Sequence, residues 1–82
     1  MNNLINEFNQ IIRWPKKQSE KIIVVEWLSN KFESKRKYCE KEINQIIEKY
    51  HIFSDTTLLR RELISKKYLA RKDDGSEYWK IN

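Results

Sequence analysis

The chain has 82 residues, of which 39% are hydrophobic and 12% aromatic, so it is expected to form one folded domain and not a disordered tail. Its formal net charge of +5 favours a polyanionic partner, above all nucleic acid. A single cysteine excludes an internal disulfide, and no apolar run approaches the ~20 residues of a membrane span. We therefore expect a cytoplasmic protein that does not cross a membrane.

The first predicted element is an amphipathic helix within residues 1–14. Its apolar side chains recur at i, i+1, i+4, i+7 and i+8, which places them on one helix face. These residues are Leu4, Ile5, Phe8, Ile11 and Ile12. Five exposed apolar side chains form an adhesive patch, so the helix must dock on its own domain or on a second copy of the chain. Of these two outcomes, we expect a homodimer through this stripe.

Two further helices are predicted in the middle of the chain. The first follows Pro15 and runs from about residue 19 to about residue 32, with Ile22 and Leu28 among the residues on its inner face. Residues 35–38 are a short, charged connection that is expected to add one strand to a small sheet. The next helix, residues 40–50, is amphipathic and is followed by a turn.

A fourth helix is predicted over residues 55–67. Asp55 is a favourable N-cap, because its carboxylate accepts from the free amides of the first helical turn. On a helical wheel, Leu59 and Leu63 fall on the core side together with Thr56. The opposite side is small, hydroxylic and carries one arginine. Its residues are Ser54, Thr57, Arg61 and Ser65, with Leu58 alongside. This composition suits a helix that approaches a nucleic-acid groove closely, although an ordinary exposed helix face is similar.

The end of the chain predicts a β-hairpin. Asp74-Gly75 lies between short alternating segments, residues 69–71 and 76–79, and glycine tolerates the positive φ of such a turn. Helix, turn, helix and hairpin in this order form a winged helix-turn-helix domain, predicted here for residues 15–82. The expected fold class is therefore α+β, mostly α: a winged helix-turn-helix with an extra N-terminal helix and a C-terminal β-hairpin wing.

The predicted function is that of a small DNA-binding protein, a transcriptional regulator that inserts helix 55–67 into the major groove of double-stranded DNA. Arg61 would read guanine edges, and the hydroxyl side chains beside it would contact bases or phosphates. Basic residues elsewhere would anchor the phosphate backbone. These residues are Lys16, Lys17, Lys35, Lys37, Arg71 and Lys72. The alternative is a winged-helix protein-interaction module without nucleic-acid binding, which is favoured by the carboxylates of Asp73 and Asp74 at the wing tip.

The sequence predicts no catalytic or metal site. His51 and Cys39 are the only residues of their types, too few for a zinc site or a nucleophile with a positioned base. Gly75 is the only glycine, so there is no Gly-rich phosphate loop. The chain is therefore expected to be no enzyme and to use no cofactor. His51 is expected to bond to backbone in a turn, and Tyr78-Trp79 to plug the core and not to stack on bases.

Several short motifs extend over roughly residues 12–80. They are Pro15-Lys16-Lys17, Phe32-Glu33, Tyr38-x-Glu40-Lys41-Glu42-Ile43-Asn44, Asp55-x-x-x-Leu59-Arg60-Arg61-Glu62-Leu63, Leu69-x-Arg71 and Gly75-Ser76-x-Tyr78-Trp79. On these motifs, the chain resembles the bacterial family called domain of unknown function 2087. The resemblance implies a small winged-helix fold of the kind associated with transcriptional regulators. It implies no particular biochemical activity.

Overall fold

Three helices and one three-stranded antiparallel sheet make up the fold in the computed structural model, which describes residues 4–81. In chain order the elements are α1 (Gln18–Ser29), β1 (Lys37–Tyr38), α2 (Glu40–Lys49), α3 (Thr56–Ser65), β2 (Leu69–Arg71) and β3 (Tyr78–Lys80). The last strand, β3, lies in the middle of the sheet, and the strand order is β1-β3-β2. The predicted fold class, α+β and mostly helical, is confirmed at this level.

The helices α2 and α3 begin where the sequence provides hydrogen-bond acceptors. The Glu42 carboxylate accepts from the backbone N–H of Cys39 at 2.9 Å, which closes the first turn of α2. The Asp55 carboxylate accepts from the backbone N–H of Leu58 at 3.2 Å, as predicted for the N-cap of α3. Both helices bury apolar residues at a spacing of four, such as Leu59 and Leu63, which are fully buried.

The sheet is organised by the alternation of inward and outward side chains. Tyr38 pairs with Tyr78, and both side chains are buried under the helices. The next register pair, Lys37 and Trp79, lies on the opposite face, because successive residues of a strand point to opposite sides. Ala70 is the partner of Trp79 on the other edge of β3. One face of the sheet therefore belongs to the core, while the other faces outward.

The predicted hairpin turn is confirmed at Asp74-Gly75. Gly75 has a φ of 75°, a value that glycine adopts without strain, and its N–H donates to the Lys72 carbonyl at 2.9 Å. The Asp74 carboxylate accepts from the backbone N–H of Ser76 at 2.9 Å. The returning strand begins at Tyr78, two residues later than the predicted segment 76–79.

The predicted N-terminal helix is wrong over the described residues, since residues 4–17 contain no helix. Ile11 instead pairs with Ile5 in an antiparallel bridge and with His51 in a parallel one. The reason lies in the asparagines between the apolar residues. The Asn6 side chain accepts from the backbone N–H groups of Phe8 and Gln10, both at 2.9 Å, and this local alternative to helical bonding reverses the chain.

This reversal divides the apolar stripe that was predicted as a dimer interface. Leu4 and Ile11 are buried in the core of the same domain, with 3% and 0% of their surfaces exposed. Ile5 and Ile12 are half-buried, and only Phe8 remains exposed, at 74%. The stripe therefore does not exist as one surface, and a homodimer stays a prediction without that interface.

The helix α1 is shorter than predicted and is turned differently. It ends at Ser29, whose hydroxyl donates to the Glu26 carbonyl at 2.6 Å. Ile22, predicted to face the core, is 44% exposed, whereas Val24, Val25 and Leu28 are fully buried. Four consecutive apolar residues at 22–25 leave the orientation of a helix ambiguous, because periodicity is then no guide.

Candidate nucleic-acid interface

The outer face of α3 has the composition that the helical wheel predicts. Thr57, Arg61 and Ser65 follow one another at a spacing of four, so they form one stripe along the helix. All three are exposed, as is Ser54 in the preceding turn, and Leu58 beside them is half-buried. Within residues 4–81, no side chain forms a hydrogen bond or ion pair with Arg61. Its guanidinium is therefore available to a partner.

The neighbouring arginine, Arg60, has a structural contact. Its Nη1 donates to the Asn44 Oδ1 at 2.6 Å and so connects α3 to α2. Glu62 binds Lys66 one turn further along the same helix, with 2.6 Å between the Oε1 and Nζ atoms. Of the two consecutive arginines, Arg61 is therefore the one without a side-chain partner among residues 4–81.

A cavity of about 440 Å³ lies between α3 and the turn that joins β2 and β3. We call it the helix–wing cleft. Arg61, Ser65 and Arg71, three residues predicted from sequence as DNA contacts, line it together. The other charged groups in its lining are Arg60, Glu40, Asp73 and Asp74. Positive and negative side chains are therefore equal in number around this cleft, three of each.

Two of these charged side chains, Arg71 and Asp74, bind backbone groups of the turn. The Arg71 Nη1 donates to the backbone carbonyls of Lys72 and Asp73, at 3.1 and 3.2 Å. The backbone N–H of Ser76 bonds to Asp74 and holds the pKa of that carboxyl below its ordinary value. The acidic tip of the hairpin therefore stabilises its own turn through Asp74, and the exposed Asp73 is a further residue of the cleft lining.

Tyr78 forms part of the base of the cleft. Its hydroxyl donates to the Glu40 Oε1 at 2.9 Å, which connects β3 to the first residue of α2. Burial of the ring raises the pKa of the Tyr78 phenol above its ordinary value of 10.0, and the bond to the Glu40 carboxylate raises it further. The predicted role of Tyr78 in the core is confirmed.

The other predicted phosphate anchors do not lie beside α3. Lys35, Lys37 and Lys72 line a second cavity, of about 370 Å³, on the outward face of the sheet. Its remaining lining residues are Arg36, Glu77, Trp79 and Lys80. We call these seven residues the outer sheet face. Lys16 and Lys17, the last two predicted anchors, are exposed in the segment that leads into α1.

Trp79 departs from the prediction for the Tyr78-Trp79 pair. Tyr78 is buried, but Trp79 is half-buried and lines the cavity of the outer sheet face. The signal was present in the sequence, because adjacent residues of a strand cannot both face the core. If Tyr78 plugs the core, Trp79 must point outward.

His51 positions α3 through two backbone contacts, which confirms its prediction as a turn residue bonded to backbone. Its Nδ1 donates to the Ile47 carbonyl at 2.7 Å, and its Nε2 accepts from the backbone N–H of Asp55 at 3.1 Å. These partners assign the neutral tautomer with the proton on Nδ1. The ring is buried and joins the last turn of α2 to the N-cap of α3.

A family model described as "Uncharacterized protein conserved in bacteria (DUF2087)" matches residues 10–80. The chain belongs to this family. The match includes all three helices, all three strands and both cavities described above. A search of the curated proteins and a search of the solved structures each found no match.

The described residues of this DUF2087 member meet the requirements of neither a metal site nor a membrane-spanning helix. Residues 4–81 contain no group of three or more His, Cys, Asp or Glu side chains placed to hold a metal ion. Over the same residues, each helix is too short or too polar to cross a membrane.

Proposed function

We propose that this protein is a cytoplasmic winged-helix DNA-binding protein, and that it acts as a transcriptional regulator. The element order, helix–strand–helix–helix–strand–strand, and the sheet order β1-β3-β2 support the winged-helix assignment. The helices α2 and α3 are joined by a short turn, residues 50–55, as in a helix-turn-helix unit. In such a unit, the second helix is the one that enters the major groove.

The observation that carries the proposal is the outer stripe of α3. It combines two hydroxyl side chains, Thr57 and Ser65, with an arginine that has no partner among the described residues. Small residues let the helix backbone approach the floor of a groove, and an arginine offers two parallel donors to guanine O6 and N7. Arg71, across the helix–wing cleft, supplies a second cation at the place where a phosphate backbone would pass.

A second function is a winged-helix protein-interaction module. It is favoured by the three carboxylates Glu40, Asp73 and Asp74, which balance the three arginines of the helix–wing cleft. Such a cleft attracts a polyanion less strongly than an all-basic one. An exposed Ile52 in the turn before α3 adds apolar surface for a protein partner, with 53% of its own surface exposed.

The salt dependence of binding to random duplex DNA distinguishes the two functions. Each phosphate that a protein neutralises contributes about −0.9 to the slope of log K against log salt. Binding through several phosphate contacts must therefore weaken by at least about tenfold between roughly 50 and 200 mM salt. Absence of any duplex binding at the lower salt concentration would remove DNA as the partner and leave the protein-interaction module.

A further inference from the structure

The outer sheet face is a cationic surface that lies apart from the α3 interface. Five of its seven residues are cationic, and they surround one half-buried tryptophan. These five are Lys35, Arg36, Lys37, Lys72 and Lys80. Glu77 is the single carboxylate in the lining, but the Arg36 guanidinium is paired outside the lining with Glu33 and Glu42, at 2.8 and 3.3 Å. The four lysines and Glu77 then sum to a formal charge of +3. This exceeds the balanced charge of the helix–wing cleft.

Glu77 lies between two of the lysines and offsets only one of their two charges. Its Oε2 lies 3.6 Å from the Nζ of Lys37 and 3.6 Å from the Nζ of Lys72. The same oxygen is buried and lacks a hydrogen-bond partner among the described residues. One carboxylate between two ammonium groups keeps both lysines at the cavity and leaves an excess of positive charge for an anionic ligand.

Trp79 lies at the centre of this charge. Its register partners are Lys37 on one side and Ala70 on the other. The half-buried ring lines a cavity of about 370 Å³. An indole beside a row of cations has the two elements of a single-strand binding site: a flat surface for a base and positive charge for its phosphates.

We infer that the outer sheet face binds single-stranded nucleic acid, with a base stacked on Trp79 and the flanking phosphates held by Lys35, Lys37 and Lys72. The bases of a duplex are stacked on one another, so only an unpaired strand can offer a base face to the indole. This site lies on the opposite side of the sheet from Tyr78 and the helix–wing cleft. It is therefore independent of the duplex-binding proposal.

The direct test follows the Trp79 indole N–H resonance in a ¹⁵N-labelled protein, assigned with the Trp79→Phe variant. A thymidine oligomer of about ten nucleotides, within the range of single-strand site sizes, is the probe. We expect the Trp79 resonance to shift more than those of Trp14 and Trp27. A glutamate peptide of equal charge should shift it little, because it offers no base. An equal response to both probes, or no response to the oligomer, overturns the inference.

Affinity of the labelled oligomer provides the second readout. Trp79→Ala should weaken binding about 5- to 150-fold, the usual loss when a base loses its aromatic partner. Trp79→Phe keeps an aromatic ring and is expected to retain most of the affinity. This control shows whether the loss in a folded alanine variant comes from the missing ring. Unchanged affinity in a folded Trp79→Ala protein contradicts stacking.

Two substitutions that each remove one positive charge test the phosphate contacts: Lys35→Asn and its control, Arg13→Asn. Lys35→Asn removes one cation at a residue with a φ of 64°, which asparagine tolerates, and it should flatten the single-strand salt slope by about 0.7. Arg13→Asn removes the same charge from an exposed, non-helical position outside the outer sheet face and should leave the slope unchanged. Equal slopes for the two variants contradict a phosphate contact at Lys35. The two proposals can fail separately. If the protein binds duplex DNA but no single strand, only the outer sheet face proposal fails; if it binds a single strand but no duplex, only the α3 proposal fails.

Discussion

Arg60 and Arg61 are adjacent in sequence but have opposite roles in the structure. A turn of 100° per residue brings Arg60 against α2, where it binds Asn44, and directs Arg61 away from the domain. The helical wheel predicted the exposure of Arg61, because the leucines fix the orientation of α3. The Asn44 contact was beyond sequence reasoning, since it depends on how α2 and α3 pack.

Arg61→Ala tests the proposed duplex recognition by α3. We expect the substitution to cost about 1–3 kcal/mol in specific duplex binding and to relax the preference at one base pair, because a bidentate contact to guanine is lost. Arg13→Ala, which removes the same charge from an exposed site outside α3, is the control. Equal affinity of the two variants, measured by fluorescence anisotropy, would exclude Arg61 from the interface.

Tyr78 gives the protein a specific response to alkaline pH. Burial, and then the bond to Glu40, raises the pKa of the folded phenol, so the folded state holds this proton more tightly than the unfolded chain. The resulting stability is fully present below pH 10 and is lost as the pH rises above this value. Tyr78→Phe should cost about 0.5–1.5 kcal/mol at neutral pH through the lost hydrogen bond.

The same variant should lose less stability than the parent on going above pH 10, because it has no phenol to ionise. Urea unfolding at neutral pH and above pH 10 measures both effects. A parallel loss in the two proteins would mean that Tyr78 does not contribute to the alkaline transition.

At the scale of the element, the turn between α2 and α3 depends on His51. The ring occupies one acceptor and one donor of the backbone, the Ile47 carbonyl and the Asp55 N–H. His51→Ala leaves both groups without these partners and should destabilise the domain by about 1–3 kcal/mol per group that stays buried and unpaired. Loss of less than about 0.5 kcal/mol in urea unfolding, the range of an ordinary surface substitution, would show that water replaces the ring at no cost.

The N-terminal segment is the element that sequence reasoning misassigned. Its apolar spacing fits a helix, yet Asn6 binds the backbone locally and Asn9 adopts a φ of 65°, so the chain reverses. Periodicity counts only the apolar residues, whereas the competing bonds come from the polar residues between them. The backbone pairing of Ile11 with the chain around His51 is long-range and has no local signature.

Ile11→Ala tests whether this segment belongs to the core. The side chain is fully buried, so its truncation should destabilise the domain by about 2–5 kcal/mol without changing the mass in solution. Phe8→Ala, at the exposed tip of the same segment, should change stability by no more than about 0.5 kcal/mol. A shift from dimer to monomer in the Phe8 or Ile11 variant would instead support a dimer interface in this segment.

At the scale of the whole molecule, strong local patterns predicted the fold best. The Asp-Gly turn, the leucine spacing of α3 and the charged strand near Tyr38 each predicted an element that the structure contains. Which basic residues share a surface was harder to predict from the sequence, because Arg71 and Lys72 are adjacent yet line different cavities. Lys72 follows the last residue of β2, and the predicted segment 69–71 does not say to which side the residues of the turn point.

At this scale, we propose that α3 binds duplex DNA and that the outer sheet face binds a single strand, and duplex binding is the first of these to test. Backbone and side-chain NMR shifts on addition of duplex DNA at low salt test it most directly. We predict the largest shifts at Thr57, Arg61 and Ser65, with smaller ones at Arg71 across the helix–wing cleft. Shifts confined to the outer sheet face, or no shift at any residue, would contradict the assignment of α3 as the recognition helix.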